Sequence, residues 1–160
     1  MHPKSSKKDP HPRNPGRQIA RAGRLLMRWG DIQLKPLGFT TGQLPVLVAL
    51  GDGSARSQKE LTEWAGIEQP SMAQMLARME RDGLVTRQKD PEDSRSTLFS
   101  LSKTALKRIP KARELLSQGN DVSLQGFTKA ETAALHDMMT RVITNLSTAL
   151  ELPIPPERER

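Results

Sequence analysis

The stretch that decides the fold runs from residue 57 to residue 101. It opens Ser57-Gln58-Lys59-Glu60-Leu61-Thr62-Glu63-Trp64-Ala65-Gly66, continues Ile67-Glu68-Gln69-Pro70-Ser71-Met72-Ala73-Gln74-Met75-Leu76-Ala77-Arg78-Met79-Glu80-Arg81-Asp82-Gly83, and ends in two short runs, Leu84 to Lys89 and Thr97 to Leu101, around Asp90-Pro91-Glu92-Asp93-Ser94-Arg95-Ser96. Ser57 and Glu60 have capping-box spacing, in which the hydroxyl accepts an orphan helix N–H and the carboxylate reaches back. A short helix carrying Leu61, Trp64 and Ala65 follows, closed by Gly66. Pro70 suits the first turn of a second helix, whose apolar face is Met72, Met75, Leu76 and Met79 until Gly83 stops it. Two short helices joined by a tight, glycine-containing turn give the helix-turn-helix outline. The period then changes to β-branched and aromatic runs around a polar tip, which predicts a hairpin.

Working outward, Ile19, Ala22, Leu26, Trp29 and Ile32 recur at helical spacing and predict a first helix ending near Pro36 and Gly38. Thr40 and Gln43 form another capping-box pair before Leu44, Leu47, Val48 and Leu50. Pro45, early in that second helix, either removes one backbone bond or marks a later start. Beyond the hairpin, Ser102 can cap a helix containing Ala105, Leu106, Ile109, Leu115 and Leu116, within which Pro110 is expected to cause a kink or a division. Thr128 with Glu131 opens a last helix bearing Leu135, Met138, Val142, Leu146 and Leu150. Residues 1–15 combine prolines and bases with no apolar residue beyond Met1 and are expected to be a disordered basic arm, with 152–160 a tail of similar character. The folded domain is then 16–151.

The 160-residue chain is 35% apolar and 3% aromatic and contains no cysteine. That length suits one domain, and the missing sulfur excludes disulfides, thiol catalysis and cysteine-ligated metals. The longest apolar run, Pro45 to Leu50, is too short for a bilayer, and the basic N-terminus has no apolar stretch behind it. A soluble, cytoplasmic protein without a membrane partner is expected. The net charge is +7, but residues 1–24 hold seven Lys or Arg against one Asp, leaving 18 bases and 17 acids in the rest. The body is nearly neutral, so basicity alone says little about nucleic acid. The arm itself is expected to track phosphates flanking any bound duplex.

The helix from Pro70 to Asp82 carries the chemistry. Opposite its methionines, Ser71, Gln74, Arg78 and Arg81 share one side of the cylinder. A hydroxyl, an amide and two guanidiniums in a row suit a major groove, with Gln for an adenine edge and Arg for guanine or phosphate; they equally suit a solvated surface. The hairpin tip favours the first reading. Arg95 follows Asp93 by two residues, a spacing that lets the carboxylate orient the guanidinium for a narrow minor groove. Asp90, Glu92 and Asp93 outnumber that Arg, so the acids must face away from DNA.

In order of elements and in residues, the chain resembles the MarR transcriptional regulators, and within them the SlyA-like branch, over about residues 17–150. The pieces that carry the likeness are Thr40-Thr41-Gly42-Gln43-Leu44 with Val46-Leu47, Ser57-Gln58-Lys59-Glu60-Leu61, Gly66-Ile67-Glu68-Gln69-Pro70-Ser71, Met79-Glu80-Arg81-Asp82-Gly83-Leu84-Val85, and Asp90-Pro91-Glu92-Asp93-Ser94-Arg95 with Leu98, Ser100 and Leu101. The resemblance implies a mainly α winged helix-turn-helix with a small β-hairpin. Its helix-turn-helix would span about 57–82, its wing 84–101, and its dimerisation helices 17–35 and 103–150. It further implies a homodimer that binds short inverted repeats in double-stranded DNA as a repressor, each recognition helix in a major groove. By position, Gln69, Pro70, Ser71, Gln74 and Arg78 would lie at the groove, Ser57 at a phosphate and Arg95 in the minor groove, oriented by Asp93. Met27, Trp29, Met138 and Met139 would border the cavity where relatives bind anionic aromatic effectors, with core or dimer packing as the competing reading. Three departures stand out. Gln74 replaces a frequent base-reading Arg, Ser94 a frequent basic residue, and Leu101-Ser102-Lys103-Thr104-Ala105 the usual Leu-Thr-x-x-Gly. The peroxide-sensing branch is excluded for want of cysteine.

No cofactor or metal is expected. His2 and His11 lie in the arm and His136 stands alone on the last helix, short of a zinc site. Paired acids such as Glu92 and Asp93 sit on a turn without a cleft, and no glycine-rich phosphate loop follows a strand, so an enzyme has no constellation to rest on. The remaining alternative is a winged-helix module that binds protein and has only non-specific affinity for DNA.

Overall fold

The structure is a computed structural model that describes residues 14–93 and 95–152. The basic arm lies outside these residues except at its end, as does the tail beyond Leu152 and Ser94 within the wing. At the arm's end the structure corrects the boundary. Asn14 accepts a hydrogen bond from the Arg17 N–H and Pro15 is already helical, so helix α1 is Pro15–Leu34. An asparagine cap followed by a first-turn proline is a start signal that composition alone overlooks.

Two 3₁₀ turns, Lys35–Leu37 and Thr41–Gln43, lead into α2, Leu44–Ala49. The Thr40–Gln43 capping box is present but opens the second 3₁₀ turn, and Pro45 takes the first turn of a later-starting α2, where its missing N–H costs nothing. Strand β1, Arg56–Ser57, precedes α3, Gln58–Ala65, and α4, Gln69–Arg81. The wing strands are β2, Val85–Lys89, and β3, Thr97–Leu101. Helices α5, Lys103–Ser123, and α6, Lys129–Ala149, complete the described chain.

Among the described residues the sheet has three antiparallel strands in the order β1-β3-β2, with Arg56 opposite Phe99 and Val85 opposite Leu101. β1 is absent from the sequence reading because two residues show no periodicity. One core joins the helix-turn-helix to the sheet and to α5. Leu61, Met72, Leu76 and Met79 pack with Leu84, Val85, Phe99 and Leu101, and with Ala105, Ile109 and Ala112. Met72 and Met79 are fully buried and Met75 partly so, as a core assignment requires.

Pro110 does not divide the fifth helix, which runs without interruption from Lys103 to Ser123. Ala105, Ile109 and Ala112 are buried on both sides of it, and that packing outweighs one lost backbone bond. Pro110 itself is exposed. α5 lies along α1 and contacts it closely through glycine. A Cβ on Gly119 would stand 2.6 Å from Trp29 Cζ3, and one on Gly30 would stand 2.5 Å from the Thr41 methyl.

Where α1 ends, the Asp31 carboxylate accepts hydrogen bonds from Thr41 N at 2.7 Å and from Thr41 Oγ1 at 2.8 Å. These bonds hold the Asp31 carboxyl below its ordinary value. The Ser57–Glu60 and Thr128–Glu131 capping boxes do the same for their glutamates.

Two outcomes follow from this packing. Gly119→Ala should cost about 1–3 kcal/mol, because Trp29 must shift to admit the methyl. The check is the urea midpoint, and an unchanged midpoint would mean the ring yields freely. Asp31 contributes stability that is complete above the ordinary carboxylate value and lost as pH falls through its lowered one. Asp31→Asn should therefore destabilise at neutral pH and flatten the acid limb of thermal stability against pH; curves that stay parallel would remove the Thr41 contact from the account.

Candidate nucleic-acid interface

The outward face of α4 is set by its inward one. With Met72, Leu76 and Met79 buried, helical geometry forces Ser71, Gln74, Arg78 and Arg81 to the opposite side, and all four are exposed. They form one row, as expected. Arg78 Nε donates to its own helix at the Gln74 carbonyl, 3.3 Å away, while Arg81 is paired with Asp82 at 2.9 Å. The Asp82 carboxylate raises the Arg81 pKa and offsets its charge, so Arg78 is the less encumbered cation of the row.

Gln69 and Pro70 begin α4 and are exposed. Gln69 is tied to the preceding helix, since Gln58 Nε2 donates to Gln69 Oε1 at 2.8 Å and to the Gln69 main-chain oxygen at 3.4 Å. Ser57 caps α3. Its hydroxyl donates to Glu60 Oε2 at 2.8 Å and accepts from the Glu60 N–H at 3.2 Å, and its own N–H donates to the same carboxylate at 2.7 Å. Every donor Ser57 could offer a phosphate is held in the cap.

In the wing, Asp93 Oδ1 accepts from the Arg95 backbone N–H at 3.0 Å, and Asp90 Oδ1 from the Glu92 N–H at 2.9 Å. The partner of Asp93 is thus the backbone of Arg95 and not its guanidinium, because a two-residue separation closes an Asx-turn before a long side chain can fold back. The consequence is favourable to the interface: the two aspartates are turned onto the tip's own backbone, and Arg95 is exposed. A link that the sequence does not announce fixes the wing against α4, where Arg87 Nε meets Glu80 Oε1 at 2.9 Å. Opposite charges on adjacent elements carry no spacing rule that would have found it.

The four residues expected around one effector cavity are divided between two clefts. Met27 and Trp29 line one of about 300 Å³ with Thr41, Leu44, Leu116, Asn120 and Ser123, whereas Met138 and Met139 line another of about 450 Å³ with Pro15, Ile19, Leu135, Arg141 and Val142. The reason is the length of α1. The second cleft meets its first turn and the first cleft its middle, and nine residues of helix separate Gln18 from Met27 by about 13 Å. His136 is exposed, with Asp137 3.9 Å away. Among the described residues no cluster of three or more His, Asp or Glu could hold a metal, and no helix is long and apolar enough to cross a membrane.

An α3–α4 pair with a hairpin wing packed on the same core is a winged helix-turn-helix. Residues 37–96 match the sequence profile of the MarR family. The family is one of transcriptional regulators, not of enzymes. The uncharacterized HTH-type transcriptional regulator YwoH of Bacillus subtilis is 29% identical over 119 residues, covering 69% of this chain and 86% of that protein. The HTH-type transcriptional repressor IacR of Pseudomonas putida is 28% identical over 115 residues, covering 72% and 69%. In fold, the chain is similar to the crystal structure of the transcriptional regulator SlyA, with a TM-score of 0.78, 24% identity, and coverage of 87% of this chain and 98% of that one. A cysteine-to-serine mutant of Escherichia coli MarR complexed with operator DNA gives a TM-score of 0.72 at 24% identity, covering 80% and 92%.

Proposed function

We propose that this chain is a homodimeric, sequence-specific DNA-binding regulator that represses transcription from short inverted repeats in the cytoplasm. The observation that carries the reading is the exposed row Ser71, Gln74 and Arg78 on the second helix of the helix-turn-helix, with the wing's Arg95 exposed beyond it. Ser71 and Gln74 near the start of α4 suit base edges, Gln74 favouring adenine, and Arg78 suits guanine or a phosphate. Arg95, on a tip whose aspartates are occupied, suits the minor groove. The relative complexed with operator DNA and the relative named as a repressor support the same reading. The basic arm that precedes α1 adds phosphate contacts without sequence preference.

The dimer is supported by α6. Of its residues only Ser147 is buried, while Met138, Ile143 and Leu146, with Leu150 at its C-terminal cap, are exposed and apolar, together with Leu25, Leu26 and Ile32 on α1. Apolar surface of this extent calls for a cover, and a second copy supplies the same helices about a two-fold axis that matches an inverted repeat.

A small effector would act by population shift, favouring a dimer whose recognition helices are wrongly spaced. The cleft at Met27 and Trp29 lies between the dimerisation helices and the DNA-binding lobe, and among the described residues no charged one lines it. The neighbouring Asp31 carboxylate, bonded to Thr41 of that lining, further disfavours an anion. This lining favours an uncharged aromatic molecule over the anionic one that the family resemblance implies.

The decisive test is selection from a randomised duplex library at two salt concentrations. Enrichment of an inverted repeat is expected; retention without enrichment, lost at higher salt, would replace the regulator by a module that binds protein. Arg78→Ala and Arg95→Ala should each lower affinity for the selected site and make the salt slope shallower by about one where a phosphate contact is lost. Leu146→Glu should give a folded monomer in sedimentation and abolish tight binding to the repeat; a dimer that persists would move the two-fold interface elsewhere. Phenol should quench Trp29 fluorescence in a Trp64→Phe background more strongly than benzoate does, and the reverse order would restore the anionic effector.

A further inference from the structure

We propose that the arginine face of α1 is a second DNA-binding surface, which takes the phosphate backbone of the duplex flanking the operator. The proposal rests on the reading of the chain as an operator-binding regulator. Arg17, Arg21, Arg24 and Arg28 recur along Pro15–Leu34 at intervals of four, three and four residues. At 3.6 residues per turn they fall within a sector of about 60°, and Lys35, at the C-terminal cap and about five turns beyond Arg17, continues the same line. All five are exposed. The other side of the cylinder carries Ile19, Ala22 and Leu26, and on that side α5 packs against Trp29 and Gly30.

Nothing among the described residues neutralises this face. None of the five cations takes part in an ion pair there, and Asp31, the one acid of α1, has its carboxylate engaged by Thr41. Like charges three and four apart on a helix repel, and Arg17 stands in the first turn, at the positive end of the helix dipole where an acid would be favoured. The arrangement is unfavourable until an anion covers it. Four guanidiniums without partners are costly to bury, so a two-fold interface built on Leu26 and α6 leaves them at the surface. The occupant is a duplex because of the length and continuity of the face. The arginines span about 16 Å, and along that distance one strand of DNA offers a phosphate about every 3.4 Å, each matching the guanidinium fork. A small anion would cover one or two of them. The positive run also extends beyond the helix at both ends. Lys4, Lys7, Lys8 and Arg13 precede it against the single acid Asp9. At the other end Lys35 leads to Thr40, Gly42 and Gln43, which share a cleft with Arg78 of α4. The face thus begins beside the groove-facing row and leads away from it, as a path for flanking DNA requires.

The test uses the full chain and a variant combining Arg17→Gln, Arg21→Gln, Arg24→Gln and Arg28→Gln, which preserves helix propensity and removes only charge. Because like charges are taken away, the variant should melt no lower than the native protein and should sediment as the same species; dissociation into monomers would put the face inside the dimer and overturn the proposal. Binding is measured to the selected operator alone and to the same operator extended by about 20 base pairs, two helical turns, on each side. On the extended duplex the native protein should show the steeper dependence of log K on log salt, and the variant should lose about two to four from that slope, at about 0.9 per phosphate contact. On the short duplex its affinity and base preference should be native. A variant with Arg21→Gln and Arg24→Gln alone should show about half the loss. Equal slopes for native and variant proteins on the extended duplex would overturn the proposal, and capture of a polyglutamate peptide by the native protein alone would then assign the face to an acidic protein. A loss just as large on the short duplex would overturn it too, by confining the face to the operator. If library selection yields no inverted repeat while long random duplexes still bind the native protein with the steeper slope, the regulator falls and the DNA-binding face stands.

Discussion

The burial of one face of α4 is the constraint on which the rest depends. A helix of 13 residues, Gln69–Arg81, has too few backbone bonds to persist alone, and Met72, Leu76 and Met79 hold it by packing against the sheet and α5. Thioether side chains suit that position because they fill the uneven space between a helix, a strand pair and a second helix. Once they are inside, the direction of Ser71, Gln74 and Arg78 is no longer free. The rotation of the recognition face is therefore a property of the core, and a core substitution that turned α4 by a fraction of a turn would misdirect the polar row without altering one of its residues.

The same reasoning applies to the joint between the helical region and the winged-helix lobe. Trp29 lies on Gly119, Gly30 on Thr41, and Asp31 holds both the N–H and the hydroxyl of Thr41. These contacts crowd one level of α1, where the cleft with Met27 opens between α1 and α5. A molecule entering there would press on closely packed surfaces, and such surfaces shift as units instead of deforming gradually. In the proposed dimer, that would be a physical route from an occupied cleft to an altered spacing of recognition helices, and it requires the two clefts to be distinct. The one at Met138 and Met139 touches only the first turn of α1 and α6, remote from the lobe.

What was legible in the sequence was what is local. The Ser57–Glu60, Thr40–Gln43 and Thr128–Glu131 boxes are spelled by residues three apart, and each is formed. The methionine face of α4 and the wing strands follow from period, which needs no knowledge of partners. The misreadings share the opposite character. Pro110 is a breaker on any local scale, and the helix runs through it because distant residues cover Ala105, Ile109 and Ala112. The two-residue β1, the Glu80–Arg87 pair and the hold of Gln58 on Gln69 link positions whose proximity only the folded chain creates. Site roles were blurred for the same reason. The spacing of Ser57 suits a phosphate contact and a cap alike, and only the folded geometry shows that the cap uses both its donors.

Charge illustrates how far composition can mislead about a site. The chain's excess of bases falls largely in residues 1–24, and the wing tip has more acids than bases, which reads as a surface that repels DNA. Yet Asp90 and Asp93 accept hydrogen bonds from the backbone of the tip, so their oxygens face N–H groups that partly offset their charge. On α4, Arg81 is matched by Asp82, and Glu80 by Arg87. Subtracting each of these internal pairs leaves Arg78 and Arg95 as cations without an acidic partner among the described residues of α4 and the tip. A nearly neutral domain can in this way present a positive line to a duplex, because a phosphate meets only the charge that the protein has not already neutralised within itself.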